Sequence, residues 1–242
     1  MISIKQNKSP KLSMPSFSVD KPLDKKLNHY ELTSLMNKSN FTLFLGRAGS
    51  GKTSLMTSFL KTKDLFHKVY YQIFLFMPAS SRASMKGSFF DKALPEEQIF
   101  DNVEYEDLQE VYLNAQQNSE DENNTLIIFD DVQKYFKERD IEKLLLHMIN
   151  NRRHARLSIW LCCQNYFSIP KQIRSGLTDL FVFKCSKKEM ESIFEEQVEL
   201  YKDKFMEVLQ KCYNKSFDFL YINVNTNRLF NNWNEIIFNV DT

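Results

Sequence analysis

The stretch Gly46-Arg47-Ala48-Gly49-Ser50-Gly51-Lys52-Thr53 decides the reading of this chain. It satisfies G-x-x-x-x-G-K-[ST] at every fixed position, a pattern whose glycines let successive backbone N–H groups turn inward around a phosphate. The chain has only five glycines in 242 residues, and three of them fall within these eight. Against a norm of roughly 7%, such scarcity followed by concentration marks a place where the backbone needs unusual freedom. The flanks agree. An apolar strand, Phe41–Leu45, leads in, and an apolar-periodic helix follows over Thr53–Leu60, with Leu55, Met56, Phe59 and Leu60 on one side. In that setting the helix N-terminus adds positive charge, Lys52 bridges the β- and γ-phosphates of a nucleotide, and the Thr53 hydroxyl takes Mg²⁺. Gly46 through Thr53, with Ser54 in the first helical turn, are the candidate nucleotide-binding residues.

Two further elements extend the site. Leu126-Ile127-Ile128-Phe129-Asp130-Asp131 is a buried strand ending in two carboxylates. Asp130 is placed to hold the metal, and Asp131 to orient and deprotonate an attacking water. Gln164 closes another apolar strand, Leu157–Cys163. If that strand lies between the first and the Asp130 strand, the amide reaches the γ-phosphate. The developing charge on that phosphoryl group calls for a cation beyond Lys52, often supplied by a neighbouring subunit. Arg47, Arg152, Arg153, Arg156 and Arg174 are candidates, with Arg153 first and Arg174 second.

Outward from the site, Val69–Met77, Leu180–Phe183 and Phe217–Val224 read as further strands, and Tyr105–Gln117 and Ile141–Asn151 as amphipathic helices. Ala79–Asn102 reads as loop, Ser186–Cys212 as one long mixed-charge helix, and the Asn-rich end beyond Val224 as a tail carrying Trp233. Short apolar strands alternating with helices predict an α/β fold, a parallel sheet covered on both faces. Residues 1–26 hold three of the six prolines, six lysines and two aspartates, and predict a basic extended arm in which Ile2/Ile4 and Phe17/Val19 can alternate as an edge strand. The predicted divisions are a basic arm over 1–35, a core over 36–185 and an extension over 186–242 packed on it.

Lys and Arg number 32 against 31 Asp and Glu, so a polyanion must meet a local basic surface rather than a global field. Cys162, Cys163, Cys185 and Cys212 are too few and too apolar in setting for a disulfide frame or metal site. Apolar runs such as Ile73–Ala79 fall far short of the ~18 residues of a membrane span, and the first residues lack an apolar signal core. The expectation is a chain that is neither secreted nor membrane-spanning.

GRAGSGKT at Gly46–Thr53, LIIFDD at Leu126–Asp131 and RRHARLSIWLCCQNYFSIPKQIRSGLTDLFVF at Arg152–Phe183 together resemble the viral genome-packaging ATPases of the FtsK/HerA superfamily. In that family an Arg-His pair precedes the sensor strand, a Gln closes it, and an aromatic-x-x-(Leu/Ile)-Pro-x-x-Ile-Arg segment follows. The counterparts here are Arg153, His154, Gln164, Phe167, Ile169, Pro170, Ile173 and Arg174. Cellular members of the superfamily carry Asp-Glu where this chain has Asp130-Asp131. The resemblance implies a RecA-like, ASCE-type P-loop core, ATP and Mg²⁺ as cofactors, and a ring of identical subunits. It also implies double-stranded DNA as the object moved, capsid or portal-vertex partners, and work in the virion or host cytoplasm. Two other readings of the same core are a nucleoside or small-molecule kinase and a non-catalytic, ATP-gated assembly factor. The absence of an Asn-Lys-x-Asp motif favours ATP over GTP.

Overall fold

Backbone hydrogen bonds join the apolar runs into a single ten-stranded sheet. The structure is a computed structural model and describes residues 2–5, 36–63, 65–83, 89–198 and 202–238. In chain order these form β1 (Ile2–Lys5), β2 (Phe41–Leu45), α1 (Lys52–Lys61), β3 (Gln72–Phe76), α2 (Ala79–Ala83), α3 (Phe89–Ala93) and β4 (Ile99–Phe100). There follow α4 (Tyr105–Glu120), β5 (Thr125–Asp130), α5 (Arg139–Asn151), β6 (Leu157–Cys163), α6 (Lys171–Arg174) and β7 (Asp179–Phe183). The chain then gives α7 (Lys187–Gln197), α8 (Lys202–Cys212), β8 (Phe219–Asn223), β9 (Arg228–Asn231) and β10 (Asn234–Phe238).

The order across the sheet is β1-β10-β9-β8-β7-β2-β6-β5-β3-β4. From β7 to β4 every pairing is parallel, and β6 lies between β2 and β5 as expected. That register aligns Leu45 with Cys163 and Asp130 with Cys162, so all three strands deliver their C-terminal ends to one edge. Alternation along the strands splits the core in two. Leu43, Ile127 and Ile159 face α4, α5, α7 and α8, whereas Phe44, Ile128 and Trp160 face α1. In α5 the residues Ile141, Leu145, Met148 and Ile149 recur at helical spacing and are buried.

The rest departs from the expectation in three places. The sheet is not parallel throughout: β8, β9, β10 and β1 are antiparallel. The Asn-rich tail is therefore two strands, and Trp233 is a buried core residue. Its turns place Asn227 and Asn232 at φ 51° and 53°, a left-handed conformation that asparagine tolerates better than most residues. Second, the predicted loop Ala79–Asn102 includes α2, α3 and β4. Third, the predicted helix Ser186–Cys212 is two helices. Eleven residues on a straight helix would separate Phe194 and Phe205 by about 16 Å, yet their ring centroids are 4.7 Å apart. Burying both rings requires the chain to fold back, and Val198 ends α7 in an extended conformation. As the alternation of Ile2/Ile4 allowed, Ile2–Lys5 is an edge strand on β10, while the rest of the predicted arm, Phe17/Val19 included, lies outside the described residues.

No helix among the described residues is long and apolar enough to cross a membrane. All four cysteines are free.

Candidate nucleotide site

The loop from Gly46 to Gly51 joins β2 to α1. Gly49 and Gly51 have φ of 73° and 100°, values that a side chain would strain. Gly51 caps α1, whose first turn carries no acid and whose N-terminus has no side-chain cap. The helix thus offers its amide donors and partial positive charge to a ligand. Gly46 N–H donates to Cys163 O (3.2 Å), tying the loop to the strand that ends in Gln164. Arg47, Ala48 and Gly49 are exposed; Ser54 is half-buried in the helix, its carbonyl accepting from Ser58 Oγ.

Lys52 is buried, and its ammonium donates to Gly46 O (2.8 Å) and Arg47 O (3.0 Å), folded onto the carbonyls of its own loop. The hydroxyl of Ser50 is buried without a partner, an orphan donor inside the cradle. Thr53 Oγ1 donates to Asp130 Oδ2 at 3.5 Å. Burial raises the Asp130 pKa to about 6, with the Asp131 charge adding to the rise. The Cys162 thiol, the Lys52 ammonium and the Thr53 hydroxyl oppose it. Asp130 therefore feels the charges of both Lys52 and Asp131.

Asp131 leaves β5 at φ 56°, an uncommon conformation held by its N–H on Cys162 O (3.0 Å). Its Oδ2 accepts from Gln164 Nε2 at 3.1 Å, while its Oδ1 is buried without a partner. Sequence-predicted residues from three strands thus meet at one edge. A hard divalent cation fits the hydroxyl of Thr53 and the carboxylate of Asp130, since both are oxygen ligands beside the phosphate cradle.

The arginines divide differently. Arg153 is exposed in the turn before β6. The strand's seven residues put it about 20 Å from the Gln164 end, so within one chain it cannot reach the site and a role for it requires another subunit. Arg174 is a correction. It is buried, with a bidentate bond to Glu196 (3.0 and 2.8 Å) and donations to Ile169 O (2.9 Å) and Tyr166 O (3.3 Å). A guanidinium so fully engaged inside its own chain is not free to enter a neighbour's site. Arg152 donates to Ser39 O and Ile149 O, and Arg156 to Glu122 O.

Residues that sequence reading passed over hold the segment after Gln164. Tyr166 N–H donates to Glu189 Oε1 (3.0 Å), and Glu189 Oε2 accepts from Ser186 N–H and Oγ in a capping box. Tyr166 Oη donates to Glu196 Oε2 (2.8 Å), and Gln197 Nε2 to Tyr166 Oη (3.2 Å) and Arg174 O (3.1 Å). The Ser-x-x-Glu spacing at Ser186–Glu189 was the one visible signal.

Residues 27–240 match the Poxvirus A32 protein family. The chain belongs to the poxvirus A32 protein family. No curated protein matches it at a significant level. Among solved structures it resembles the genome packaging NTPase B204 of Sulfolobus turreted icosahedral virus 2 in complex with ATP-gammaS. That match has TM-score 0.58 and 20% identity, and covers 85% of this A32-family chain and 100% of B204. The DNA-packaging ATPase B204 of Sulfolobus turreted icosahedral virus matches with TM-score 0.56 at 18% identity, covering 85% and 100%. The cytoplasmic domain of the type VII secretion ATPase EccC of Thermomonospora curvata matches with TM-score 0.51 at 10% identity, covering 84% of this chain and 24% of that one. At these identities the likeness carries the fold, and the fold is that of P-loop ATPases, as the sequence resemblance implied.

Proposed function

We propose that this A32-family protein hydrolyses ATP and uses the energy to move viral double-stranded DNA into a capsid. The observation that carries the reading is the contact between Gln164 and Asp131 at the edge where Lys52, Thr53 and Asp130 also meet. A second acid gripped by a sensor amide is what water activation needs, and phosphoryl transfer to a bound acceptor would not require it. This favours the hydrolase over the kinase reading.

In the proposed reaction the loop amides and the Ser50 hydroxyl bind the phosphates, and Lys52 leaves its carbonyl partners for the β- and γ-oxygens. Thr53 and Asp130 would hold Mg²⁺, which when bound neutralises charge on the phosphate oxygens. Asp131 accepts a proton from the attacking water, and Gln164 orients that water while touching the γ-phosphoryl oxygen. Arg153 of a neighbouring subunit is the candidate for the remaining cation, which makes a ring of identical subunits part of the proposal. Capsid or portal-vertex proteins are the expected partners, and the virion or host cytoplasm the place of action.

The test is ATP turnover with and without double-stranded DNA, with light scattering on the same sample. DNA-stimulated phosphate release by an oligomer is expected. Equal turnover with and without DNA by a monomer would contradict the proposal.

A further inference from the structure

The loops leaving β7, β2 and β6 sit side by side at the site's edge of the sheet, because those strands are neighbours. They carry a concentration of exposed cations: Lys184, Lys187 and Lys188 after β7, Arg47 after β2, and Lys171 after β6. Lys187 has Glu191 at 3.8 Å. Among the described residues, no carboxylate lies within ion-pair distance of Lys171, Lys184 or Lys188. The nearby acids Glu189 and Glu196 are turned inward, committed to Tyr166, Ser186 and Arg174. Phe167, 39% exposed, stands beside them, with the Lys188 ammonium 5.7 Å from its ring centroid. Across the site the charge reverses, for Asp101, Glu104 and Glu106 are exposed after β4. The β4 end of the edge is therefore acidic, whereas exposed lysines follow β5, Lys134 and Lys137, and accumulate after β7, where Lys188 meets Phe167.

We propose that Phe167, Lys171, Lys184 and Lys188 form the contact surface for the backbone of double-stranded DNA. The inference rests on the packaging reading above. Lysines on flexible stems neutralise phosphates without reading sequence, and an exposed apolar ring among them can pack against sugar or wedge at the groove wall. Lys52 and the loop amides already serve the nucleotide's phosphates, which leaves these outer cations for a second polyanion. Their position also gives the contact a mechanical meaning. Phe167 lies three residues after Gln164, on a segment that Glu189 and Glu196 clamp to α7. Displacement of the Gln164 amide by the γ-phosphate would be felt at the ring and at Lys188 on the first turn of α7.

The test measures duplex binding by fluorescence anisotropy across a salt series, with ATP turnover and light scattering, for the full chain and its variants. Two released phosphate contacts in a Lys171→Ala/Lys188→Ala double variant should lower the slope of log affinity against log salt by about 1.8, with affinity down by roughly tenfold. DNA stimulation should fall, while basal turnover and oligomer mass stay unchanged. Phe167→Ala should weaken binding several-fold at an unchanged salt slope. Wild-type-like affinity and slope in the double variant would overturn the surface assignment alone. So would loss of oligomer mass at unchanged DNA binding, which would instead seat this patch on the acidic rim of a second copy. A wild-type chain that neither binds the duplex nor responds to it would overturn the packaging reading itself.

Discussion

Gln164 Nε2 donates to Asp131 Oδ2 at 3.1 Å, so the residue assigned to sense the γ-phosphate is bonded to the residue assigned to activate water. In the proposed reaction the two part when the nucleotide arrives. The Asp131 backbone lies in the left-handed region, and its second carboxylate oxygen is buried without a partner, so the acid is held ready on one side and restrained on the other. Gln164→Ala should lower turnover by roughly 10- to 100-fold, since one positioned polar contact to the transition state is lost. ATP affinity should change little. Steady-state kinetics with nucleotide-binding titration checks this, and a large loss of affinity at unchanged turnover would contradict it.

In the proposed reaction Lys52 supplies the charge that the loop amides cannot. In its present position the ammonium is bonded to Gly46 O and Arg47 O, which shows that it reaches across the cradle. Lys52→Ala should abolish detectable turnover and weaken nucleotide binding strongly, measurable by titration with a fluorescent ATP analogue. Tight binding with normal turnover would remove the cradle assignment.

Arg174 is predicted to act on stability rather than in a neighbour's site. Truncating one partner of a buried ion pair leaves the other charge stranded, typically at a cost of about 3–5 kcal/mol. Arg174→Ala should therefore lower stability to denaturant by a few kcal/mol in the isolated subunit, and Glu196→Ala should do similar damage. If Arg174→Ala unfolded like the wild type but silenced its neighbour in mixed oligomers, the earlier expectation of a trans-acting arginine would stand.

Asp179 provides a pH test away from the site. It is buried, it accepts from Thr178 Oγ1 (2.7 Å), Tyr221 Oη (2.7 Å) and Asn223 Nδ2 (3.0 Å), and burial raises its pKa to about 6. A carboxyl whose pKa is higher folded than unfolded favours the fold most when both states are protonated. That contribution is present below about pH 4 and is lost as pH rises through about 6. A two-unit rise corresponds to at most about 2–3 kcal/mol. Asp179→Asn cannot ionise, so the stability of the wild type relative to this variant should fall by that order between pH 4 and pH 7.5. Denaturant unfolding across that range checks it, and a pH-independent difference would mean that Asp179 does not titrate as its burial requires.

The cradle and the strand order around it were legible because each rests on local chemistry. Glycines at Gly46, Gly49 and Gly51, two acids ending an apolar strand and an amide ending another are fixed by what a phosphate needs. In the C-terminal extension β8 was legible as Phe217–Val224, but the strands after it were not. β9 and β10 are short, and their turns depend on Asn227 and Asn232 accepting positive φ, a tolerance that does not announce itself in a run already rich in asparagine. The break between α7 and α8 was hidden for a different reason. The charge and apolar spacing of Ser186–Cys212 suits a helix throughout, and only the contact between Phe194 and Phe205 forces the chain back. Arg174 was misread because its partner Glu196 lies 22 residues away on another element, beyond any local pattern.

In the proposed reaction Asp131 activates the water that breaks the γ-phosphoryl bond of ATP. Phosphate release and ATP binding, measured side by side for the wild type and Asp131→Asn, decide whether it does. ATP binding should stay in the same range while release slows by at least roughly a hundredfold, because only the proton-accepting step is lost. Release at the wild-type rate from an Asp131→Asn protein that binds ATP normally would contradict it.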